Sequence, residues 1–393
     1  MQNTIIKNGQ LITPYRNLGI GYVVIEDDKI LEVNTGDIYI DDATVIDAKG
    51  AYIAPGFIDI HTHGGGNADF MDGTVNAYLQ AARTHAIHGT TLLFPTTLTS
   101  TNDLLFETFD LYKEAKEKNT EGAAFGGMHL EGPYFSFDQR GAQDPRFLRN
   151  PDPEEYLEIL ERSNDIARWS IAPELPGAME MGRELVKRGI QPSIAHSNAT
   201  FEVVLEAFES GFRNITHFYS CISSITRRNA FRYAGITEAG YFIDGMTVEI
   251  IADGVHVPES LLKLIYKIKG AENIVLVTDS MRAAGMPEGK SILGGLKDGQ
   301  EVLVEDGVAK LLDRTSFAGS IATADRLVRT MNQVAEVPLV ECVRMMTSTP
   351  ARIMKIDDKK GSLLPGKDAD IIIFDKNIEI HKTIIGGQII YNK

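Results

Sequence analysis

From residue 55 onward, short apolar segments of strand length alternate with longer segments whose apolar residues recur at helical spacing. The predicted strands are Phe57–His61, Thr91–Pro95, Phe125–Glu131, Arg168–Glu174, Gln191–His196, Asn214–His217, Thr247–Asp253 and Asn273–Asp279. Helices are predicted between most of them, at Val75–His88, Asp103–Lys118, Met179–Arg188, Phe201–Ser210 and Pro258–Lys269. Such repeats over about 250 residues fit a closed (β/α)8 TIM-like barrel. An open doubly wound sheet would need a Gly-x-Gly-x-x-Gly loop, which the segment after the first strand lacks.

Both ends of the chain are rich in strands instead. Strands are predicted at Thr4–Ile12, Gly21–Glu26, Lys29–Asn34 and Thr44–Asp47, and again in the tail from Lys360 to Lys393. After the eighth barrel strand we expect a hairpin at Gln300–Leu312, then helices at Thr323–Val334 and Leu339–Met346. The sequence thus predicts an α/β protein with two domains. Residues 1–53 plus 358–393 would form a small β-sandwich, and residues 54–357 the barrel.

Composition excludes several classes of partner. The formal net charge of −15 disfavours binding to nucleic acid or to an anionic membrane, but leaves a small anionic substrate possible. Cys221 and Cys342 are the only cysteines, which fits a reducing compartment and rules out a cysteine-rich zinc site. No signal peptide or membrane helix is apparent, so we expect a cytoplasmic protein.

Histidines and carboxylates stand where the predicted barrel strands end. Six of the nine histidines lie at or just past such an end. Together with the carboxylates, these residues are His61, His63, His129, Glu131, His196, His217, Asp253, His256 and Asp279. The carboxyl ends of barrel strands face one crater, so these side chains should converge there. His61 and His63 share one face of their strand, so both imidazoles can reach one ion. The set predicts a site for a divalent transition metal such as Zn²⁺ or Fe²⁺.

Asp279 ends an apolar strand and is interpreted as a general base beside metal-bound water, with helix capping as the alternative. By contrast, His85, His88 and His381 lie in helix or tail patterns, where structural roles are expected.

Several motifs that contain these residues resemble those of a known family. The His-x-His at 61–63, the His-Leu-Glu-Gly-Pro at 129–133 and the Thr-Asp-Ser at 278–280 are similar to the amidohydrolase superfamily. Within it, the chain resembles the N-acetylglucosamine-6-phosphate deacetylases. The matching segments span most of the chain and are Ala54–Gly64, Gly127–Pro133, Ala172–Glu174, Ala195–Ser197, Ile215–His217, Ala252–His256, Thr278–Pro287, Phe317–Ser320 and Gly361–Asp370.

The resemblance implies roles for individual residues. Glu131, His196 and His217 would hold the main metal ion, and His61 with His63 would add a second, so that one or two ions bind per subunit. Hydroxide on the metal would attack the linear amide of the acetamide group. Asp279 would act as general base and then protonate the departing amine, giving glucosamine 6-phosphate and acetate.

The resemblance also implies substrate contacts and an assembly. His256 would contact the sugar, and Arg228 would reach the phosphate in the active site of a neighbouring subunit, which implies a homodimer. The other expected substrate-binding residues are Ala142, Gln143, Ser220, Cys221, Phe317, Ala318 and Gly319.

Three segments depart from the family pattern. Ser220 and Cys221 follow His217 and its aromatic neighbours where Asn-Ala-Met is common, although their backbone N–H groups still suit a phosphate. Arg227 and Arg228 precede Asn-Ala where Arg-Glu-Pro is common, and with Arg232 nearby the phosphate-binding arginine stays open. Gln143 stands where a carbonyl-polarising histidine is frequent, which leaves the oxyanion stabiliser open.

The sequence is compatible with three alternatives. The first is a deacetylase of a related amino sugar, such as N-acetylgalactosamine 6-phosphate. The second is another amidohydrolase, although the cyclic-amide enzymes commonly use a carboxylated lysine after strand four, where this chain has Ala172-Pro173-Glu174. The third is a non-catalytic scaffold, which the complete set of ligands disfavours.

Overall fold

We describe the fold from a computed structural model, in which residues 3–393 are described. The N-terminal strands are β1 (Thr4–Ile12), β2 (Asn17–Glu26), β3 (Lys29–Thr35), β4 (Thr44–Asp47) and β5 (Tyr52–Pro55). Next come β6 (Phe57–Thr62), β7 (Gly64–Gly65), β8 (Ala68–Asp69), α1 (Val75–Ile87), β9 (Thr90–Thr97), α2 (Asn102–Lys118), β10 (Ala124–Phe125), β11 (Met128–Glu131), α3 (Pro153–Arg162), β12 (Ile166–Ile171), α4 (Ala178–Lys187), β13 (Gln191–Ile194) and α5 (Phe201–Glu209).

The second half continues the alternation. Its elements are β14 (Asn214–Ile215), β15 (Thr226–Arg228), β16 (Phe231–Tyr233), α6 (Ile236–Phe242), β17 (Thr247–Ile250), α7 (Glu259–Lys269), β18 (Ile274–Leu276), β19 (Gly289–Leu293), β20 (Gln300–Glu305), β21 (Val308–Leu311), α8 (Ala324–Gln333), α9 (Leu339–Met345), α10 (Ser348–Ile353), β22 (Ile371–Phe374), β23 (Ile380–Ile385) and β24 (Gln388–Asn392). Short 3₁₀ turns occur at Phe137–Gln139 and Ala271–Asn273.

The predicted barrel is confirmed. Eight parallel strands follow the order β6-β9-β11-β12-β13-β14-β17-β18. Backbone bonds close the ring, because Asp279 N–H donates to the His61 carbonyl (2.8 Å) and His63 N–H to the Ser280 carbonyl (2.8 Å). The strands are buried and their helices cover them, as expected for a parallel sheet. One large apolar core lies between strands and helices, with the fully buried Trp169 of β12 in it.

Strands from both termini form the second sheet, which confirms that the two ends of the chain meet. Its order is β24-β23-β22-β5-β1-β2-β3, with β4 also paired to β1. β22 runs antiparallel to β5, so the tail is joined directly to the segment that leads into the barrel. Side chains from both ends share one apolar core, for example Ile6, Ile25, Ile53, Ile371 and Ile384. The domain boundaries at residues 53 and 358 stay a prediction.

Several local features differ from the sequence-based expectation. The third predicted strand is interrupted between β10 and β11, where Gly127 adopts φ +128°. The hairpin predicted at Gln300–Leu312 is present as β20 and β21 with Asp306 and Gly307 at its turn, and β19 adds a third strand to it. The exposed hairpin β15–β16 and the helices α3 and α6 were not predicted. Among residues 3–393, no helix combines the length and the apolar character needed to cross a membrane.

Candidate metal centre

Two clusters of potential metal ligands lie at the carboxyl ends of the barrel strands. One comprises Glu131, His196 and His217, and the other His61, His63 and Asp279. Within each cluster the ligand atoms lie within 4.8 Å of one another, and all six residues are buried. The predicted convergence of these strand ends is therefore present in the structure. Asp279, interpreted from sequence as a base, stands in the same cluster as the two histidines of the first strand.

The carboxylate of Glu131 lies between the two clusters. Its Oε1 is 3.3 Å from His196 Nε2, 3.1 Å from His217 Nε2 and 3.6 Å from His61 Nε2. Its Oε2 is 3.3 Å from His63 Nε2. Oε1 thus faces His196 and His217 of one cluster and His61 of the other, while Oε2 faces His63, so the carboxylate has contacts in both clusters.

The outer nitrogens of three of these imidazoles have acceptors. His196 Nδ1 lies 2.8 Å from the Gln139 carbonyl, and His217 Nδ1 lies 3.1 Å from the Ser220 carbonyl. His61 Nδ1 lies 3.3 Å from Glu249 Oε2. A proton on each Nδ1 leaves the Nε2 lone pair directed at the centre of the site.

The inward nitrogens are crowded together. His61 Nε2 and His63 Nε2 are 3.4 Å apart, and His196 Nε2 and His217 Nε2 are 3.2 Å apart. Lone pairs this close repel one another unless a cation lies between them. The donor set of imidazole nitrogen and carboxylate oxygen suits Zn²⁺ or Fe²⁺, so the residues present fit the predicted metals.

The pKa shifts of Glu131 and His63 also indicate a site that favours a cation. Burial alone would raise the pKa of the Glu131 carboxyl, but the neighbouring His61 and the bonds from His196 and His217 hold that pKa well below its usual range. Burial likewise opposes charge on His63, yet the carboxylates of Asp279 and Glu131 raise its pKa to about 10. The two carboxylates thus attract positive charge strongly, and protons take that place when no metal ion is bound.

The backbone at the strand ends is strained in a way that serves the site. His196, His217 and Asp279 have φ values of +45°, +30° and +45°, in the left-handed region that non-glycine residues rarely adopt. The chain turns sharply out of the barrel at each of these residues. Strained backbone of this kind is concentrated at functional sites.

A cavity of about 470 Å³ opens above the two clusters. Of the predicted site residues, the following line it: His63, Glu131, Ala142, Gln143, His196, His217, Ser220, Cys221, His256, Asp279, Phe317 and Gly319. His61 lies fully buried beneath its floor, and Ala318 is buried behind the wall. Arg228 does not line the cavity. It is exposed on β15, with its guanidinium 5.6 Å from the ring centre of Tyr233.

His256 is held in place by its neighbours. Its Nδ1 lies 2.8 Å from Asp253 Oδ2, and its ring packs at a tilt against Phe317, with the ring centres 4.6 Å apart. Asp253, which was grouped with the potential ligands because it ends a strand, therefore orients His256. His129 lies deeper in the barrel, where its nitrogens bond to the hydroxyls of Thr96 (3.1 Å) and Ser170 (2.7 Å).

Some cavity residues were not found from the sequence. Lys310 and Arg314 line the wall formed by the β20–β21 hairpin and the loop after it, beside Phe317. Their only sequence signal was that the hairpin is an insertion after the last barrel strand. The buried pair of Arg168 and Glu249 beneath His61 was also missed, because nothing local distinguishes a polar residue that faces a barrel interior.

A closed parallel barrel with histidine–carboxylate clusters at its C-terminal mouth is the architecture of metal-dependent hydrolases. The chain belongs to the amidohydrolase family, whose model matches residues 52–390. It is 34% identical over 376 residues to an N-acetylglucosamine-6-phosphate deacetylase of Lysinibacillus sphaericus, covering 93% of this chain and 92% of that protein. It is 30% identical over 347 residues to an N-acetylgalactosamine-6-phosphate deacetylase of Escherichia coli, covering 88% and 89%.

Solved structures show the same likeness. A mutant N-acetyl-D-glucosamine-6-phosphate deacetylase of Mycobacterium smegmatis, in complex with N-acetyl-D-glucosamine-6-phosphate, superposes with a TM-score of 0.91 at 27% identity. That likeness covers the full length of both chains. The chain is thus a hydrolase of the amidohydrolase family and of its amino-sugar-phosphate deacetylase type.

Proposed function

We propose that the protein hydrolyses N-acetylglucosamine 6-phosphate to glucosamine 6-phosphate and acetate. The observation that carries the proposal is the pair of clusters that share Glu131 at the floor of a cavity of about 470 Å³. This volume lies in the range of small-molecule sites and is suited to a hexose phosphate. The likeness to deacetylases of this sugar over nearly the whole chain supports the choice of substrate.

Five side chains would hold the metal. Glu131, His196 and His217 form the main site, and His61 with His63 form a second, so that one or two ions of Zn²⁺ or Fe²⁺ bind per subunit. When bound, such an ion lowers the pKa of water to about 7 and polarises an amide carbonyl. The backbone carbonyls behind His196 and His217 fix the tautomer in which Nε2 is free to bind it.

Asp279 would move the proton. Burial opposes its charge, but His61 and His63 lower the pKa of its carboxyl below the usual value, so Asp279 is ionised at neutral pH and can accept a proton from the attacking water. Its Oδ1 lies 3.2 Å from His63 Nε2 and 3.4 Å from His61 Nε2, at the floor where the scissile amide would lie. The same carboxyl group would then protonate the departing sugar amine.

The cavity walls would bind the sugar phosphate. His256, fixed by Asp253, would contact the sugar, with Phe317 and Gly319 forming the wall beside it and Ala318 buried behind that wall. For the phosphate, the Ser220 N–H already donates to the His217 carbonyl (2.8 Å), so Cys221 offers the better backbone donor of the two.

Arg228 would supply charge to the phosphate across a homodimer interface. Its exposed position outside its own cavity agrees with a role in a neighbouring subunit. Arg227 and Arg232 lie on the same hairpin and are alternatives for this contact. A cytoplasmic location remains a prediction from the sequence.

The galactosamine epimer is the second candidate substrate, because the Escherichia coli relative named for it is nearly as similar as those named for the glucosamine epimer. Acetate release should therefore be measured on both epimers, with and without the 6-phosphate. We expect the highest kcat/KM for N-acetylglucosamine 6-phosphate. A higher kcat/KM for the galactosamine epimer would identify that epimer as the substrate instead. If protein with both metal sites filled released no acetate, the deacetylase proposal would be refuted.

A further inference from the structure

Gln143 is a predicted substrate contact whose side chain is already hydrogen-bonded to a carboxylate of the metal centre. Its Nε2 lies 2.9 Å from Glu131 Oε2, and its Oε1 lies 3.0 Å from the backbone nitrogen of Thr99. The residue is only 5% exposed, so neither bond competes much with bulk water. Gln143 thus connects the loop after β9 to the carboxylate between the two clusters.

The orientation of this amide follows from chemistry. The backbone N–H of Thr99 can only donate a hydrogen bond, so the atom that faces it must be the amide oxygen. The NH₂ group is therefore the end that faces Glu131. A charge-assisted bond of this kind to an ionised carboxylate is stronger than one between neutral groups.

The other side chains in polar contact with the Glu131 carboxylate are all potential metal ligands. His61, His63, His196 and His217 direct Nε2 at its two oxygens. Once these nitrogens bind metal through their lone pairs, they no longer donate hydrogen bonds to the carboxylate. Among the side chains in polar contact with Glu131, Gln143 is then the one that still donates a hydrogen bond to the carboxylate and holds it in place.

We propose that Gln143 is a positioning residue, which holds Glu131 in the orientation that serves both clusters and does not polarise the substrate carbonyl. This proposal rests on the deacetylase function proposed above, but its main readout needs no substrate. An uncharged amide that already donates to Glu131 is a weak electrophile compared with the charged imidazole that a histidine could provide at this position.

The test is the variant Gln143→Met, which keeps the length of the side chain and removes both hydrogen bonds. The dissociation constant for Zn²⁺ would be measured by competition with a chelator, together with the number of ions bound per subunit. Loss of a group that orients a metal ligand typically weakens binding 10- to 100-fold, so we expect an increase of about that size. With N-acetylglucosamine 6-phosphate, kcat should return to within about threefold of the wild-type value when Zn²⁺ saturates the variant, since only metal affinity is affected.

The control is Gln333→Met, the same change at the exposed last residue of α8. It should leave both the dissociation constant and kcat unchanged. If Gln143→Met fails to fold, Gln143→Leu removes the same bonds and is measured in the same way.

Two results would overturn the proposal. One is a dissociation constant within twofold of the wild-type value. The other is a kcat that stays about 10²–10³-fold low in the metal-saturated variant, the loss expected when a donor to the oxyanion is removed. Absence of acetate release by the wild-type protein would instead refute the deacetylase function, and the metal-affinity measurement would still decide the role of Gln143.

Discussion

Arg168 and Glu249 form an ion pair in the interior of the barrel, directly beneath His61. Both side chains are fully buried, and the Arg168 guanidinium bonds to the Glu249 carboxylate. Arg168 also donates to the Ile60 carbonyl (3.0 Å) and to Ser193 Oγ (3.1 Å). The other oxygen of Glu249 faces His61 Nδ1 at 3.3 Å. The pair therefore connects the stability of the barrel to the metal centre.

We predict that Arg168→Met lowers the free energy of unfolding by about 3–5 kcal/mol at pH 7, the cost of removing one partner of a buried pair. The carboxyl of Glu249 limits the electrostatic part of this loss, because it can become protonated. Protonating a carboxyl whose ordinary pKa is 4.5 costs about 3.4 kcal/mol at pH 7, at about 1.4 kcal/mol per pH unit. The remainder comes from the bonds lost at Ile60 and Ser193.

The loss of stability caused by Arg168→Met should depend on pH in a defined direction. In the wild-type protein burial opposes charge on Glu249, but Arg168 lowers the pKa of that carboxyl, so Glu249 is ionised at pH 5 and at pH 7. Without Arg168 its folded-state pKa rises above the unfolded value, so protonation stabilises the fold below the unfolded pKa and that stabilisation is lost as pH rises. The deficit of the variant should therefore be smaller at pH 5 than at pH 7, by up to about 2.7 kcal/mol.

Urea unfolding followed by tryptophan fluorescence measures this effect. Trp169 is the only tryptophan, and it is fully buried on β12 next to Arg168, so it reports the barrel. The control is Arg183→Met, which breaks an exposed pair with Glu180 (3.1 Å) and should cost less than about 1 kcal/mol.

A double variant tests the energetic coupling between Arg168 and Glu249. Arg168→Met with Glu249→Gln removes both charges, so its cost should be at least about 2 kcal/mol less than the sum of the two single costs. Additive costs, a loss below about 1 kcal/mol for Arg168→Met, or the same deficit at both pH values would refute the reasoning.

Three other substitutions test separate parts of the site and scaffold. Asp279→Asn should lower kcat about 10²–10⁴-fold because an amide cannot accept the proton, and metal analysis of the same sample would show whether the loss comes from a missing ion. Arg228→Ala should raise KM for the 6-phosphate while sparing the unphosphorylated sugar; an unchanged preference would contradict the phosphate assignment. Asp325 is buried, yet His88 at 3.1 Å holds its pKa at about 2, so the charged form stabilises the fold above the ordinary value of 3.8. Asp325→Asn should cost about 2 kcal/mol in urea unfolding at pH 7, a difference that shrinks as pH falls from 4 towards 2.

The strand-end ligands could be predicted from the sequence because each depends on local geometry. His61 and His63 are two residues apart on a strand, and the strand period alone places them on one face. The carboxyl ends of all barrel strands lie at one mouth, so His196 and His217 join them without further information. These inferences need only the correct fold and the correct strand ends.

The contacts that hold those ligands could not be predicted. Gln143 bonds to Glu131 because the loop after β11 folds back over the barrel mouth, and nothing in its neighbouring residues specifies that path. The β15–β16 hairpin was missed for a related reason. Its turn residues Asn229 and Ala230 both have left-handed φ, +48° and +70°, but Ala is an unusual choice where Gly would be the recognisable signal.

The left-handed residues at the strand ends show how the fold supports the site. Such strain costs on the order of 1–3 kcal/mol per residue, and glycine at His196, His217 or Asp279 would relieve it. Glycine would also remove a ligand or the proposed base, so at these positions the chemistry needed by the site opposes the local preference of the backbone. The strain persists because backbone bonds in the closed barrel fix each turn, as the Asp279 N–H does by donating to the His61 carbonyl. Bonding of the last strand to the first therefore closes the ring and also holds Asp279 against His61 and His63, so the integrity of the second cluster depends on closure of the barrel.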